Sequence, residues 1–522
     1  MSHRTFALAL TSSALAAALL AAPARAQEAP RDTTRDEGPS ITIYSSADPA
    51  GFDAQQFITQ QRMGYNPTAA WQVPGYGVVK EVRTVTLGTG RTDLKFTDVA
   101  EFIDPTTVSI TDLTDPAGTS VLEQNFQFDL VSPAKLLEKY LDHDIVHETL
   151  KDGVPVARVS GKVLSVNQGQ VVLQTAEGIR FFSASDPGFR LPALPEGLLT
   201  KPTLLWKLDS ATGGAHRVRT TYQTSGMTWR ADYNLVLNGD DTQADVGAWV
   251  TLINLSGASY KDARLKLIAG DVQRIAPQRP MAPMKSGRDR GALAGAAQGF
   301  EEKSFFEYHL YTLPRRTDVL DNATQQITLF PTAAGVNVEK VLVYYGLSDA
   351  ANWGFFPEAR TDRDLGARGN AKLDVYVRFK NEKANQLGMP LPKGKIRVFQ
   401  KDDADGTLEF VGEDLIDHTA KDEQVLVKLG QAFDVVGERT QTDFQVDTSR
   451  KTMTESFKIQ LRNHKGTAVK VVVKENLYRW TTWQITARSD EFAKQDARTV
   501  HFDVVVPPDG EKTVTYTVQY TW

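Results

Sequence analysis

The sequence contains no cysteine among its 522 residues. That excludes disulfides, thiol nucleophiles, cysteine metal ligands and a lipid-modified cysteine anchor. Beyond the N-terminal segment, no apolar run approaches the ~20 residues that span a bilayer, so no transmembrane span is expected. A surplus of positive charge is also missing. The net charge is −5 and the pI about 6.0, which leaves no basic field to draw nucleic acid. Short basic clusters occur, such as residues 360–368, but Asp362 and Asp364 lie within that one.

The composition is that of an ordinary globular protein, with 41% apolar and 24% charged residues. It can build sizeable cores, and the length suits two to four domains. The first 26 residues have three parts: a short head with Arg4, an apolar run from Phe6 to Ala22, and the small-residue triplet Ala24-Arg25-Ala26. This is the layout of a secretory signal peptide cleaved after Ala26. Cleavage removes Arg4 and Arg25 and takes the net charge from −5 to −7. Export to the bacterial periplasm or cell envelope is therefore expected. Residues 27–39 are polar and lack aromatics, as in a disordered leader.

From residue 40 the chain is expected to be mainly β, as antiparallel β-sandwich domains preceded by a mixed N-terminal domain. That first domain spans 40–200 and includes an unassigned polar insert at 48–76. Its one helix is expected at about 133–141, with Ser132 as N-cap, Pro133 at the first position, and Leu136, Leu137 and Leu141 on one face. Short strands broken at Asn167-Gln168-Gly169 and Glu177-Gly178 suggest a small barrel or three-stranded meander. A Pro/Leu-rich piece, 190–206, marks a junction. A sandwich region 201–370, carrying a mobile loop at 277–299, and a C-terminal sandwich 371–522 follow.

In these regions the alternation is strict. Trp229, Ala231, Tyr233, Leu235 and Leu237 share one face, with Arg230, Asp232 and Asn234 on the other. Val246, Ala248, Val250 and Leu252 oppose Asp245, Trp249 and Thr251. Val514, Tyr516, Val518, Tyr520 and Trp522 oppose threonines and Gln519. A period of two means antiparallel sheet with one buried face.

Motifs that carry chemistry are few. Ser225, in Gln223-Thr224-Ser225-Gly226, lacks the first glycine of a nucleophile elbow and precedes a strand, so it reads as a hairpin corner. His143 and His147 have the spacing of two metal ligands on one helix face, yet Ile145 and Val146 between them favour a strand. Asp403 and Asp405 resemble the start of a calcium loop, but Leu408 and Asp414 stand where Gly and Glu are needed. Asp405-Gly406 is also a hairpin turn signal. Glu307 and His309 flank Tyr308 along one strand and are the weak candidates for an acid/base pair. Tyr478, Trp480 and Trp483 suit either a sugar-binding face or, more simply, a core. Asn254 and Asn463 sit at strand ends as turn formers.

The ordered phrases YQTSGMTWRADYNLVL, VTLINLSGASYKDARLKLIAGDV, LPKGKIRVFQKDDADGTLEFVGEDLIDHTAKDEQVLVKLGQAFDV, IQLRNHKGTAVKVVVKE and VQYTW carry a resemblance. Over roughly residues 75–522 the chain resembles a bacterial secreted family of unknown function, one that shares its C-terminal domain with the mucoidy inhibitor A family. The resemblance implies a β-sandwich-rich exported protein and no particular reaction.

The function expected is that of a non-enzymatic envelope or periplasmic interaction or scaffold protein without cofactor, whose partner is an envelope protein or glycan. The alternative is a hydrolase of envelope polysaccharide or peptide. No feature of the sequence fixes an oligomeric state.

Overall fold

A computed structural model describes residues 38–44, 52, 56–57, 59–60, 73–127, 132–193, 195, 201–270, 300–305, 308–347, 356–367, 369–402 and 404–522. The signal segment 1–26, nearly all of the leader, most of the insert 48–76, the loop 277–299, Asp403 and Glu307 lie outside these residues.

The fold is mainly β, and its sheets are mostly antiparallel. Ser40–Tyr44 pairs with Tyr76–Leu87 and runs parallel to Tyr260–Ala269, while Gly214–Thr224 closes on the other side of Tyr76–Leu87. These pairings join residues on both sides of the division expected at residue 200. A three-stranded sheet (Gly90–Thr97, Thr203–Ser210, Thr119–Gln127) buries Trp206.

The largest sheet begins at Leu408–Ile416 and passes through Gly394–Lys401, Met227–Leu237, Gln243–Asn254 and Ala323–Tyr345 to Lys372–Lys380 and Gln424–Asp447. It continues through Thr452–Asn463 and Gly510–Thr521 to Trp483–Arg488. Lys428 N donates to the Asp414 carboxylate at 2.7 Å, which ties the first strand of this series back to Gln424–Asp447. Ala323–Tyr345 and Gln424–Asp447, 23 and 24 residues long, serve two cores in turn. Their first halves line a core with Trp229, Tyr233 and Val246, and their second halves one with Phe457, Phe502, Tyr516 and Tyr520. Each aliphatic or aromatic side chain buried this way contributes about 1.5–3 kcal/mol before entropy is counted.

Local chemistry explains most of the element ends. The helix runs Pro133–Lys139, and the Ser132 hydroxyl accepts from Lys135 N at 3.2 Å. Because the helix stops at Lys139, Leu141 points to solvent and Tyr140 takes its expected place in the core, beside Leu137. The small β unit is a five-stranded sheet rather than three strands. Asp144–Lys151 and Phe189–Arg190 extend the meander Val154–Asn167, Gln170–Thr175, Gly178–Ser183.

Ser225 is not in a hairpin corner. Gly214–Thr224 and Met227–Leu237 belong to different sheets, and Ser225-Gly226 is the crossing between them. Gly226 has φ +84°, and a Cβ there would lie 2.7 Å from the Leu255 carbonyl oxygen, so only glycine makes this crossing without strain. Asn254 and Asn463 are buried turn posts, each amide donating to carbonyls across its turn at 2.8 Å (Ala258 and Thr467). Gly406, at φ +75°, completes the hairpin between Gly394–Lys401 and Leu408–Ile416.

Candidate functional site

The histidines expected as a pair stand in different settings. His143 is exposed in the turn before Asp144–Lys151, with Nδ1 2.8 Å from the Leu141 carbonyl. His147 is inside that strand and buried between the rings of Phe182 and Phe189, its Nε2 3.1 Å from Asp186 Oδ2. The Asp186 carboxyl is held below its ordinary range, first by the Gly188 backbone N–H and then by His147. Among the described residues, no group of three or more His, Asp or Glu is placed to hold a metal ion. His309 Nδ1 lies 2.8 Å from Glu302 Oε1, on the neighbouring strand Glu301–Phe305. Sequence reasoning missed Glu302, because the pairing depends on a register that local sequence does not specify.

Tyr478 and Trp480 do not alternate along a strand: Val469–Asn476 ends before them. Tyr478 is buried and Trp480 and Trp483 pack against the second core.

The most deeply buried charges form two ion pairs in that second core. Arg439 Nε donates to Glu475 Oε2 at 2.8 Å, and Arg479 Nη2 to Glu455 Oε1 at 2.7 Å, with all four side chains fully buried. Tyr516 also donates to Glu475, and Gln441 to Glu455. Burial works against the Arg439 charge, but the Glu475 carboxylate outweighs it and raises the pKa. Burial, then Glu455, pushes the Tyr478 phenol up to about 12.

The guanidinium of Arg479 also binds the carbonyls of Arg360, Asp362 and Leu365, and Arg439 that of Gly366. The two pairs thus strap residues 360–366 to the sandwich. Each of their donors and acceptors is turned inward, away from any ligand in solvent. A sequence signal existed: Glu455 has the parity of Met453, Phe457 and Ile459, and Glu475 that of Val471 and Val473.

The first core's sheet presents a different arrangement on its outer face. Inward positions of Met227–Leu237 and Gln243–Asn254 are apolar, so Arg230, Asp232 and Asn234 project outward opposite Thr251, Trp249 and Gly247. The register carries this polar stripe across Lys395 and Arg397 to Glu413 on one side and across Gln326 and Thr328 on the other. Asp232 is the hub. Its Oδ2 accepts from Thr251 Oγ1 at 2.6 Å and from Arg230 Nε at 3.2 Å. Its Oδ1 is buried without a hydrogen-bond partner among the described residues; Arg397 Nη1 stands off at 3.9 Å. Arg397 Nε and Lys395 Nζ are 3.6 and 3.8 Å from Glu413, beyond good hydrogen-bond length. At the end of the face, Ile253 is covered by Phe57 and Val73. The readable trace of this site is Trp249, an aromatic at a polar-parity position.

A second acidic neighbourhood bears on stability. Glu101 approaches Gly257, whose N–H donates to Asp321 at 2.9 Å. Partial desolvation, then the Asp321 charge, raises the Glu101 pKa, and burial raises that of Asp321. A carboxyl raised in the folded state binds its proton more tightly there than in the unfolded chain. Its destabilising effect is therefore absent below the ordinary carboxylate range and grows as pH rises through the elevated value. Glu101→Gln should raise the melting temperature near neutral pH and leave it unchanged in acid. Thermal scans across pH test this, and an equal gain at all pH values would contradict it.

Both the ion pairs and the polar stripe fall within residues 218–522, which match the model of a family described as a domain of unknown function (DUF4139). No curated protein matches the chain. With more than half of its length covered by that model, the chain belongs to the DUF4139 family.

Proposed function

We propose that the protein is exported, is cleaved near Ala26, and acts in the bacterial periplasm or envelope as a non-enzymatic interaction or scaffold protein. Its partner in this reading is an envelope protein or glycan. The shared C-terminal domain with the mucoidy inhibitor A family belongs to the same proposal.

One observation carries the reading. The outward stripe around Asp232 combines a buried carboxylate oxygen that has no hydrogen-bond partner among the described residues, loosely engaged guanidinium and ammonium groups, and a half-buried tryptophan. Unsatisfied buried polar atoms on a sheet face call for a partner that supplies the missing hydrogen bonds. Tagged protein crosslinked mildly in its own envelope and then captured should retain a stoichiometric component that is lost from Asp232→Asn. Recovery of the protein with nothing bound would overturn the reading.

The Glu302–His309 contact favours a second reading, hydrolysis of an envelope polymer. A carboxylate on Nδ1 orients an imidazole whose Nε2 can then accept a proton.

A further inference from the structure

We infer that the outward stripe is a saccharide-binding site in which Trp249 is the stacking platform and Asp232 and Arg397 read ring hydroxyls. The inference rests on the interaction reading above and names the class of partner.

Trp249 is the anomalous residue of the stripe. It stands directly opposite Asp232 in the ladder and opposite Thr328 on the other side, and its outward neighbours along the strand are Gly247 and Thr251. A tryptophan placed for core packing would share parity with Ala248 and Val250, which face inward. On the polar side of the strand, Trp249 is half-buried. Gly247 supplies the space beside it. A Cβ built there meets only Thr332 Oγ1, at 3.6 Å, so the floor next to the ring is low and open.

The polar groups specify what would lie on that floor. Asp232 Oδ1 needs a donor, since a buried acceptor without one costs about 1–3 kcal/mol. Arg397 is held too loosely by Asp232 and Glu413, at 3.9 and 3.6 Å, to use its N–H groups fully. Its side chain is 26% exposed, so these N–H groups stay open to an acceptor from outside the sheet. The ligand must offer donors and acceptors side by side, and an apolar face for the indole.

Charge narrows the choice further. Carboxylates of Asp232 and Glu413 alternate with the cations of Arg230, Lys395 and Arg397, which disfavours a polyanion as much as a cation. A largely neutral sugar meets all of these conditions. Its C–H face stacks on the indole, and each hydroxyl both donates and accepts.

The test uses the full mature protein on an array of bacterial glycans, followed by titration of any bound glycan in solution. Trp249→Ala should weaken binding roughly tenfold, the scale of an aromatic contact. Trp249→Phe should keep part of the affinity, and both should melt within a few degrees of wild type because Trp249 is outside the core. Absence of any bound glycan, or equal affinity in Trp249→Ala, overturns the saccharide site. If envelope material is still captured by wild type and by Trp249→Ala alike, the broader interaction reading survives that result. If capture fails as well, both fall.

Discussion

Replacing Arg479 with methionine should lower the unfolding free energy by about 3–5 kcal/mol, the range for removing one partner of a buried ion pair. The guanidinium is fully buried over the rings of Phe444 and Tyr478, binds Glu455 and also donates to three carbonyls of the strap 360–366. Its loss leaves the Glu455 carboxylate without its counter-charge inside the sandwich and releases the strap together with it. Denaturant unfolding measures the effect as a lower midpoint. Pairing Arg479→Met with Glu455→Met should recover much of the loss, because two apolar side chains of similar volume leave no charge stranded. A single variant within about 1 kcal/mol of wild type, or a double variant as unstable as the single, would contradict this account of the cluster.

Gly346→Ala should be nearly as damaging, for a steric reason. A Cβ at this position would lie 1.7 Å from Glu475 Oε1 and 2.7 Å from Arg439 Cδ, and neither atom is the free end of a solvated chain. Gly369 packs against Arg439 in the same way, with a Cβ 2.7 Å from that of the arginine. The Arg439–Glu475 pair therefore sits in a slot made by two glycines. An added methyl must displace the pair, breaking charge-assisted bonds that cannot be replaced by water. The expected loss is about 3 kcal/mol or more, combining overpacking with a disturbed ion pair. Gly247→Ala is the control: its Cβ has room, so stability should stay within about 0.5 kcal/mol on this count. Calorimetry of the two variants side by side tests the contrast, and similar melting temperatures would refute it.

Much of the fold is legible in the sequence because its strands alternate cleanly. Met227–Leu237, Gln243–Asn254 and Gly510–Thr521 bury the residues their parity selects. Partners are not legible, because parallel pairings such as Ser40–Tyr44 with Tyr260–Ala269, or Met227–Leu237 with Gly394–Lys401, join segments far apart in the chain. The two long strands were equally hidden. Gly335, at φ +65°, and Gly430 break the local pattern, so each strand reads as two short ones. Ser225-Gly226 has the composition of a turn, and composition alone does not distinguish a hairpin from a crossing between sheets.

The candidate site was half visible. Asp232 and Trp249 could be assigned to the outward face from parity alone. Their juxtaposition with Arg397 and Glu413 required the cross-strand register. The buried ion pairs show the opposite weakness. Arg439, Glu455, Glu475 and Arg479 are residue types that normally face water, and hydropathy places them outside although parity places Glu455 and Glu475 inside.

The most direct test of the central claim is cosedimentation of the purified mature protein with isolated cell envelope, while the supernatant is assayed for released sugars and peptides. A binding protein gives a saturable bound fraction, reduced in Trp249→Ala, with no soluble fragments appearing over time. Steady release of fragments that stops in His309→Ala would contradict the account and establish hydrolysis instead.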